Sequence, residues 1–275
     1  LMWFYLLLTI ALGDDCDGEL QSPIDVRSPF SYYDPEIDFY LGSQDGAILY
    51  HDGNNLRIDG DFGGFLWANS YFWSTGIIFR SPSEHQVEGS YMPMEMQIFF
   101  CDQYNYQSVI SAFFTNSSQS NFLNEIGFGN PQLRDAETGS LFKISNPVDI
   151  GSFLGDIDTY LYYEGSTTLS PCVPNVTWIV LTDTYKISQE QLGNFPTSLR
   201  GNNREIQATE GRTIFSNFED IETASGDSGS SSGDDDTVTE NISSGEGYKD
   251  VNDDFIVENE SYKEDFPEVD SIYTS

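Results

Sequence analysis

Short apolar runs separated by turn-forming residues fill the middle of the chain and constrain its fold more than any other feature. Gly, Asp, Asn and Pro stand between the runs, which is typical of β-strands joined by turns and not of long helices. The runs are Ile37–Leu41, Ala47–Tyr50, Leu56–Ile58, Gly76–Phe79, Glu95–Phe100, Thr159–Tyr163 and Thr177–Leu181. We therefore predict one mainly β domain of the α+β class over residues 14–215.

Two short helices are predicted beside these strands. Residues Ser188–Gln191 (Ser-Gln-Glu-Gln) have the spacing of a capping box at a helix start. Phe122, Leu123 and Ile126 precede Gly127, a pattern typical of a short helix that ends at a glycine. We expect few other helices, and the sequence contains no internal repeat.

Residues 1–13 are predicted to be a segment of their own. They contain the apolar run Met2–Leu12, which has the length of a signal-peptide core but is too short to span a bilayer, for which a helix needs about 20 apolar residues. The run lacks a basic flank, so a first core strand is the alternative. The signal-like interpretation predicts a protein that is secreted or lumenal.

Residues 216–275 are predicted to be a mostly disordered acidic tail. They hold 18 of the 45 acidic residues and 2 of the 11 basic residues of the chain. The stretch 223–244 consists largely of Ser, Gly, Asp and Thr, which bury too little apolar surface to offset the entropy of ordering. The short apolar patches Phe255–Val257 and Ser271–Tyr273 could instead dock on a partner.

The net charge of −34 excludes a nucleic-acid-binding protein, because neutralising phosphates requires a basic surface. Trp67, Trp73 and Trp178 are accordingly interpreted as core or groove aromatics and not as a platform for stacking bases. The longest apolar run is too short to span a membrane. Only two histidines occur, His51 and His85, so one chain cannot supply three imidazoles to a metal.

Three cysteines occur, and none belongs to a CxxC motif, which excludes a zinc ribbon. A bridge between Cys16 and Cys172, with Cys101 buried and free, is the simplest arrangement, and three reduced thiols are the alternative. Asn-x-Ser/Thr triplets weakly favour a secreted glycoprotein, with Asn116 and Asn175 as glycosylation candidates inside the predicted domain. Two more such triplets begin at Asn241 and Asn259 in the tail.

Five collinear motifs resemble those of the α-type carbonic anhydrases over residues 16–207. The motifs are Gln21–Val26 (QSPIDV), Ser81–His85 (SPSEH), Tyr163–Thr168 (YEGSTT), Pro171–Leu181 (PCVPNVTWIVL) and Asn202–Gln207 (NNREIQ). The resemblance implies a large, twisted, mostly antiparallel sheet with short peripheral helices. It also implies a disulfide between Cys16 and Cys172.

The resemblance further implies a zinc ion held by three histidines, and this sequence departs from that pattern. The three ligand positions fall on Ile78, Arg80 and Gln97, and the position of the proton-shuttle histidine falls near Asn54. Isoleucine has no lone pair, arginine stays protonated, and glutamine is at best a weak oxygen donor. We therefore predict no zinc cofactor, no metal-bound hydroxide and no carbon dioxide hydration.

Three residues around the lost zinc position are retained. Glu84 and Thr168 match a carboxylate and a threonine that are hydrogen-bonded in active members, and His85 matches a structural histidine. We expect the guanidinium of Arg80 to fill the volume of the zinc and to pair with Glu84, directly or through Thr168, because an unpaired buried carboxylate is costly. The alternative is that Arg80 binds a small anion such as bicarbonate.

Three functions are compatible with these features. The first is a non-catalytic carbonic-anhydrase-like domain that serves as a secreted or lumenal interaction or structural module with an unidentified protein partner. The second is an enzyme with a degenerate or rearranged metal site. The third is an acidic secreted protein whose tail binds calcium or mineral weakly through residues 234–236 and 250–254, neither of which fits an EF-hand loop.

Overall fold

The computed structural model describes residue 16 and residues 18–219, and in this part strands far outnumber helices. Every predicted apolar run falls on a strand. The strands are β1 (Asp25–Val26), β2 (Ser31–Tyr32), β3 (Asp38–Leu41), β4 (Ser43–Gln44), β5 (Ile48–His51), β6 (Leu56–Asp59), β7 (Gly63–Trp67), β8 (Ser70–Arg80), β9 (Gln86–Val87), β10 (Ser90–Tyr91), β11 (Met94–Cys101), β12 (Gln107–Asn116), β13 (Leu141–Lys143), β14 (Val148–Asp149), β15 (Tyr160–Ser166), β16 (Pro174–Ile187) and β17 (Phe215–Ser216).

The helices are short, as predicted. They are α1 (Asn121–Leu123), a π-helical turn (Asn124–Phe128), a 3-10 turn (Pro131–Asp135), α2 (Ile150–Leu154), α3 (Gln189–Gly193) and a 3-10 turn (Thr197–Leu199). Helix α3 begins with the predicted capping box, in which the Ser188 hydroxyl and the Gln191 amide each bond the other's backbone N–H. Gly127 has a φ of 120° and breaks the helical backbone where the glycine stop was predicted.

One large sheet organises the described part of the chain. Its strands follow the order β13-β5-β6-β8-β11-β12-β16-β15-β17-β2, with β7 also on β8 and β3 on β7. The pairs in this sheet are antiparallel except β12–β16 and β17–β2. Two small sheets, β1-β9-β10 and β14-β4, lie beside it. The predicted mainly β fold with a large, mostly antiparallel sheet is therefore confirmed.

The large sheet separates two hydrophobic cores because side chains alternate between its faces. On β11, Met96 and Ile98 belong to the larger core and Phe99 to the smaller one. The same alternation directs the polar side chains of Glu95 and Gln97 to the face of the smaller core. Both are fully buried, so this face holds a buried polar site within an otherwise apolar sheet.

Two of the predicted segments lie outside the described residues: the signal-like segment 1–13 and, from residue 220 onward, the acidic tail. The tail's calcium-binding and docking hypotheses and the triplets at Asn241 and Asn259 therefore stay predictions. None of the helices in the part that is described has the length and apolar character needed to cross a membrane.

Candidate functional site

The neighbouring strands β8 and β11 bring the three expected zinc-ligand positions together. In the antiparallel register Gln97 faces Ile78 and Glu95 faces Arg80. Residues directly opposite each other share a face of the sheet, so these four side chains form one cluster. All four are buried, and Arg80 is among the largest fully buried side chains of the described residues.

The guanidinium of Arg80 contacts three other residues of the chain. Its Nε lies 3.2 Å from Oε1 of Glu84. Its Nη1 donates to Oδ1 of Asn55 at 2.7 Å and to the backbone carbonyl of Asn202 at 3.1 Å. Neither its Nη2 nor its Nε has a hydrogen-bond partner among the described residues, so the contact with Glu84 is an ion pair without hydrogen-bond geometry. Arg80 was expected to pair with Glu84 either directly or through Thr168, and the pairing in the structure is direct.

The carboxamide of Gln97 is oriented by two carboxylates. Its Nε2 donates to Oε2 of Glu84 at 2.8 Å and to Oε1 of Glu95 at 3.1 Å. This leaves Oε1 of Gln97 without a hydrogen-bond partner in the described structure. The amide nitrogen of Gln97 therefore donates to both carboxylates, and its carbonyl oxygen is the atom left to accept a further hydrogen bond.

Glu95 is the acceptor on which this network converges, and the sequence analysis did not single it out. Its carboxylate accepts hydrogen bonds from the backbone N–H of Glu84 and of His85 and from the hydroxyl of Ser111, at 2.7 to 3.0 Å. It also bonds Nδ1 of His85 at 2.9 Å. Burial by itself raises the pKa of Glu95, but the charge of His85 and the hydrogen bonds from His85, Gln97 and Ser111 lower it to about 2.

His85 links this network to the opposite side of the smaller core. It is fully buried, and its Nε2 lies 2.7 Å from the hydroxyl of Tyr163, which in turn donates to Ser22. Its ring meets that of Trp178 edge to face, with centroids 4.7 Å apart. Three of the five sequence motifs, those containing Ser22, His85 and Tyr163, therefore meet at one hydrogen-bonded chain.

Two other residues implied by the resemblance lie at the edges of the cluster. Thr168 is buried, but its hydroxyl has no partner within residues 18–219, and Oε1 of Glu84 accepts instead from the backbone N–H of Arg204 at 3.2 Å. Asn54 is exposed in the turn between β5 and β6.

His51, near the shuttle position, is buried and held by its own contacts. Its Nε2 lies 2.9 Å from Oγ of Ser198, and its Nδ1 accepts from the backbone N–H of Gly53. Because Nδ1 is the acceptor, Nε2 carries the proton, so His51 is not placed to act as a base toward Ser198.

The predicted disulfide between Cys16 and Cys172 is confirmed, with Cα atoms 5.1 Å apart. Cys101 is free, as expected, but it is half-buried and not fully buried, because β11 ends there at the edge of the smaller core. Asn116 and Asn175 are both exposed, and their glycosylation stays a prediction.

The sequence model of the family described as eukaryotic-type carbonic anhydrase matches residues 11–218 of the chain. Among curated proteins, the chain is 28% identical over 208 residues to a carbonic anhydrase of Pectobacterium carotovorum, a match that covers 72% of this chain and 80% of that protein. It is 29% identical over 213 residues to a carbonic anhydrase of Klebsiella pneumoniae, with the same coverage.

Solved structures show the same likeness. The α-carbonic anhydrase of Thermovibrio ammonificans in complex with the inhibitor sulfanilamide superimposes with a TM-score of 0.62 at 25% identity, covering 72% of this chain and 87% of that one. Dioscorin complexed with ascorbate superimposes with a TM-score of 0.65 at 24% identity, covering 72% and 86%.

Proposed function

This chain belongs to the eukaryotic-type carbonic anhydrase family, and from that premise we propose that it is a non-catalytic member that serves as a protein-interaction or structural module. The observation that carries the proposal is the set of side chains at the three ligand positions of the buried cluster. They are Ile78, Arg80 and Gln97, none of which supplies an imidazole.

The chemistry of this donor set does not fit a catalytic zinc ion. Such an ion takes three protein ligands, usually imidazole nitrogens or carboxylates. Here Ile78 offers no lone pair, the guanidinium of Arg80 would repel a dication, and Gln97 offers a single carbonyl oxygen. Without a metal to lower the pKa of a bound water, the cluster has no hydroxide nucleophile at neutral pH.

Arg80 explains why the carboxylate of Glu84 persists in a site of this kind. A buried carboxylate without a counter-charge is strongly destabilising, and Glu84 is fully buried. The guanidinium, 3.2 Å away, supplies the positive charge from within the chain. The two charges of the site are then paired within the chain, which supports a structural role for Arg80 in place of a metal-binding one.

The relatives favour one alternative, catalysis by a rearranged site, because the proteins from Pectobacterium carotovorum and Klebsiella pneumoniae are named carbonic anhydrases. A secreted or lumenal location is part of our proposal. The disulfide supports it, since disulfides persist mainly in oxidising compartments.

The decisive experiment measures carbon dioxide hydration by the full chain with and without added zinc, together with bound metal by mass spectrometry. We expect no zinc at stoichiometric level and no acceleration over buffer. The matched control is the triple variant Ile78→His, Arg80→His, Gln97→His, which restores the ligand set and should gain zinc binding if it folds. Zinc-dependent turnover by the unaltered chain that is lost in Gln97→Ala would establish the enzyme instead.

The interaction role is tested separately by the size of the protein in extracts of its native source at low ionic strength. We expect it to sediment as a complex. Sedimentation as a monomer would count against this role.

A further inference from the structure

Five exposed aromatic side chains gather at one end of the large sheet, away from the buried cluster. We call them the aromatic patch: Tyr40, Tyr71, Trp73, Tyr104 and Tyr106. Their exposed fractions run from 37% for Trp73 to 69% for Tyr104. Of the two roles expected for Trp73, core or groove, the core one is therefore wrong, since its strand position turns it to solvent.

Strand register places three of these rings next to one another. Tyr40 faces Gly64, and Gly64 faces Trp73, so the three positions form a row across β3, β7 and β8 on one face of the sheet. Gly64 has no side chain, and the ring of Tyr71 occupies the space that a side chain would take. A Cβ atom built on Gly64 would lie 2.9 Å from the Cζ of Tyr71. The rings thus form one surface across three strands.

The turn between β11 and β12 carries the other two rings and is joined to β8 by a side-chain hydrogen bond. Oδ1 of Asp102 accepts the backbone N–H groups of Tyr104 and Tyr106, each at 2.9 Å. Its Oδ2 accepts the hydroxyl of Ser70, the first residue of β8, at 3.3 Å. This contact places the turn next to Ser70, the residue before Tyr71.

The charge around the patch is entirely negative in the segments that build it. Residues 38–41, 61–75 and 99–107 contain Asp38, Asp61 and Asp102 but no Lys or Arg. Asp38 lies two residues before Tyr40 and so shares its face of β3. Burial and the charge of Asp61 raise the pKa of Tyr71, which places that carboxylate close to the ring.

We propose that the aromatic patch is the docking site for an arginine-bearing segment of a partner protein. The proposal rests on the interaction role inferred above and specifies its surface. Aromatic faces attract cations, arginine stacks on them better than lysine, and the aspartates supply the complementary charge. A second copy of this chain is a poor occupant, because it would bring like charges together.

The test uses the full chain and two synthetic peptides of equal length and net charge, one with arginine and the other with lysine. Affinities are measured by calorimetry at physiological ionic strength. We expect tighter binding of the arginine peptide, and a loss of about tenfold in the double variant Tyr71→Ser, Trp73→Ser. A tenfold loss of affinity is what the removal of two exposed cation–π contacts, each of about 0.5–1 kcal/mol, would cause.

The matched control is the double variant Tyr32→Ser, Tyr91→Ser, which removes two exposed rings elsewhere and should bind as the unaltered chain does. Neither the patch variant nor the control variant changes the charge of the chain, so both attract a basic peptide equally through their net charge. The difference in peptide affinity between the two variants therefore measures the contribution of the patch. If the patch variant does not fold, Asp38→Asn with Asp61→Asn keeps every ring and should also weaken binding. Equal affinity for the two peptides, with no effect of either patch variant, would overturn the proposal.

Self-association that the patch variant abolishes would also overturn it, by making a second copy the occupant. These outcomes are separable from the proposed function. Turnover of carbon dioxide by the unaltered chain would contradict the non-catalytic role, whatever affinities are measured for the two peptides. A native complex that survives loss of the patch would remove only the docking site.

Discussion

At the scale of single residues, the buried cluster holds two carboxylates that are stabilised in different ways. Glu84 forms an ion pair with Arg80, and Glu95 has hydrogen bonds with His85, Gln97 and Ser111. A carboxylate between two methionines in a buried strand is a visible anomaly in the sequence, and it could have identified Glu95 as a member of the network. Nothing local identifies Asn202, which contacts Arg80 from 122 positions away.

Glu95 should make the protein sensitive to acid. Its folded pKa of about 2 lies below the ordinary value of about 4.3, so the folded state binds fewer protons than the unfolded state. The stabilisation is complete above about pH 5 and is lost as the pH falls toward 2, and its full size is about 3 kcal/mol. Denaturant unfolding between pH 7 and pH 2 measures it.

The variant Glu95→Gln isolates this contribution. It should lower the free energy of unfolding at pH 7 by about 3 kcal/mol, because the partners of a buried carboxylate lose their counter-charge. It should also flatten the pH dependence. The exposed Glu125→Gln is the matched control and should change stability by under about 0.5 kcal/mol. A variant with the pH profile of the unaltered protein would contradict the role of Glu95.

At the scale of elements, strands with unusual exposure patterns escaped prediction. Strand β12 is buried on both faces, so its sequence shows no alternation between polar and apolar residues. The first half of β8 exposes Tyr71 and Trp73 while it buries Ser74, which reverses the usual hydrophobic pattern. The rule that finds half-buried strands therefore missed the central strand β12 and the first half of β8.

The capping box of α3 provides a prediction at this scale. Ser188→Ala removes the hydroxyl that accepts from the backbone N–H of Gln191 and should lower the free energy of unfolding by about 1 kcal/mol. Thermal or denaturant unfolding measures the change. Ser90→Ala, at an exposed serine of β10, is the control and should be close to neutral. Equal effects of the two variants would mean that the cap contributes nothing.

At the scale of the whole molecule, the described ends of the chain close over the smaller core. Ile24, Val26 and Ile214 pack in that core from opposite ends of the described sequence. The side chain of Arg204 donates to the backbone carbonyl of Ser22 and, more weakly, to that of Cys16. The disulfide therefore reinforces a closure that is already made by packing and hydrogen bonds.

Removal of that bridge should have a large effect on stability. Cys16 and Cys172 are 156 positions apart, so the bridge restricts a long loop of the unfolded chain. The double variant Cys16→Ser, Cys172→Ser should lose about 2–5 kcal/mol in denaturant unfolding. Cys101→Ser, at the free cysteine, is the matched control and should lose much less. Equal stability with and without the bridge would show that packing alone closes the ends.

The sequence by itself determined the β class and the α3 cap, and with the family resemblance it predicted the disulfide that the structure has. These depend on local alternation, local caps and motifs, which a linear chain displays directly. Only the tertiary structure decided that Arg80 pairs with Glu84, that Glu95 accepts hydrogen bonds from several elements and that exposed rings of β3 and β8 lie near a turn that carries two more. Those contacts join residues far apart in the chain, and their geometry exists only once strand register has been fixed by packing.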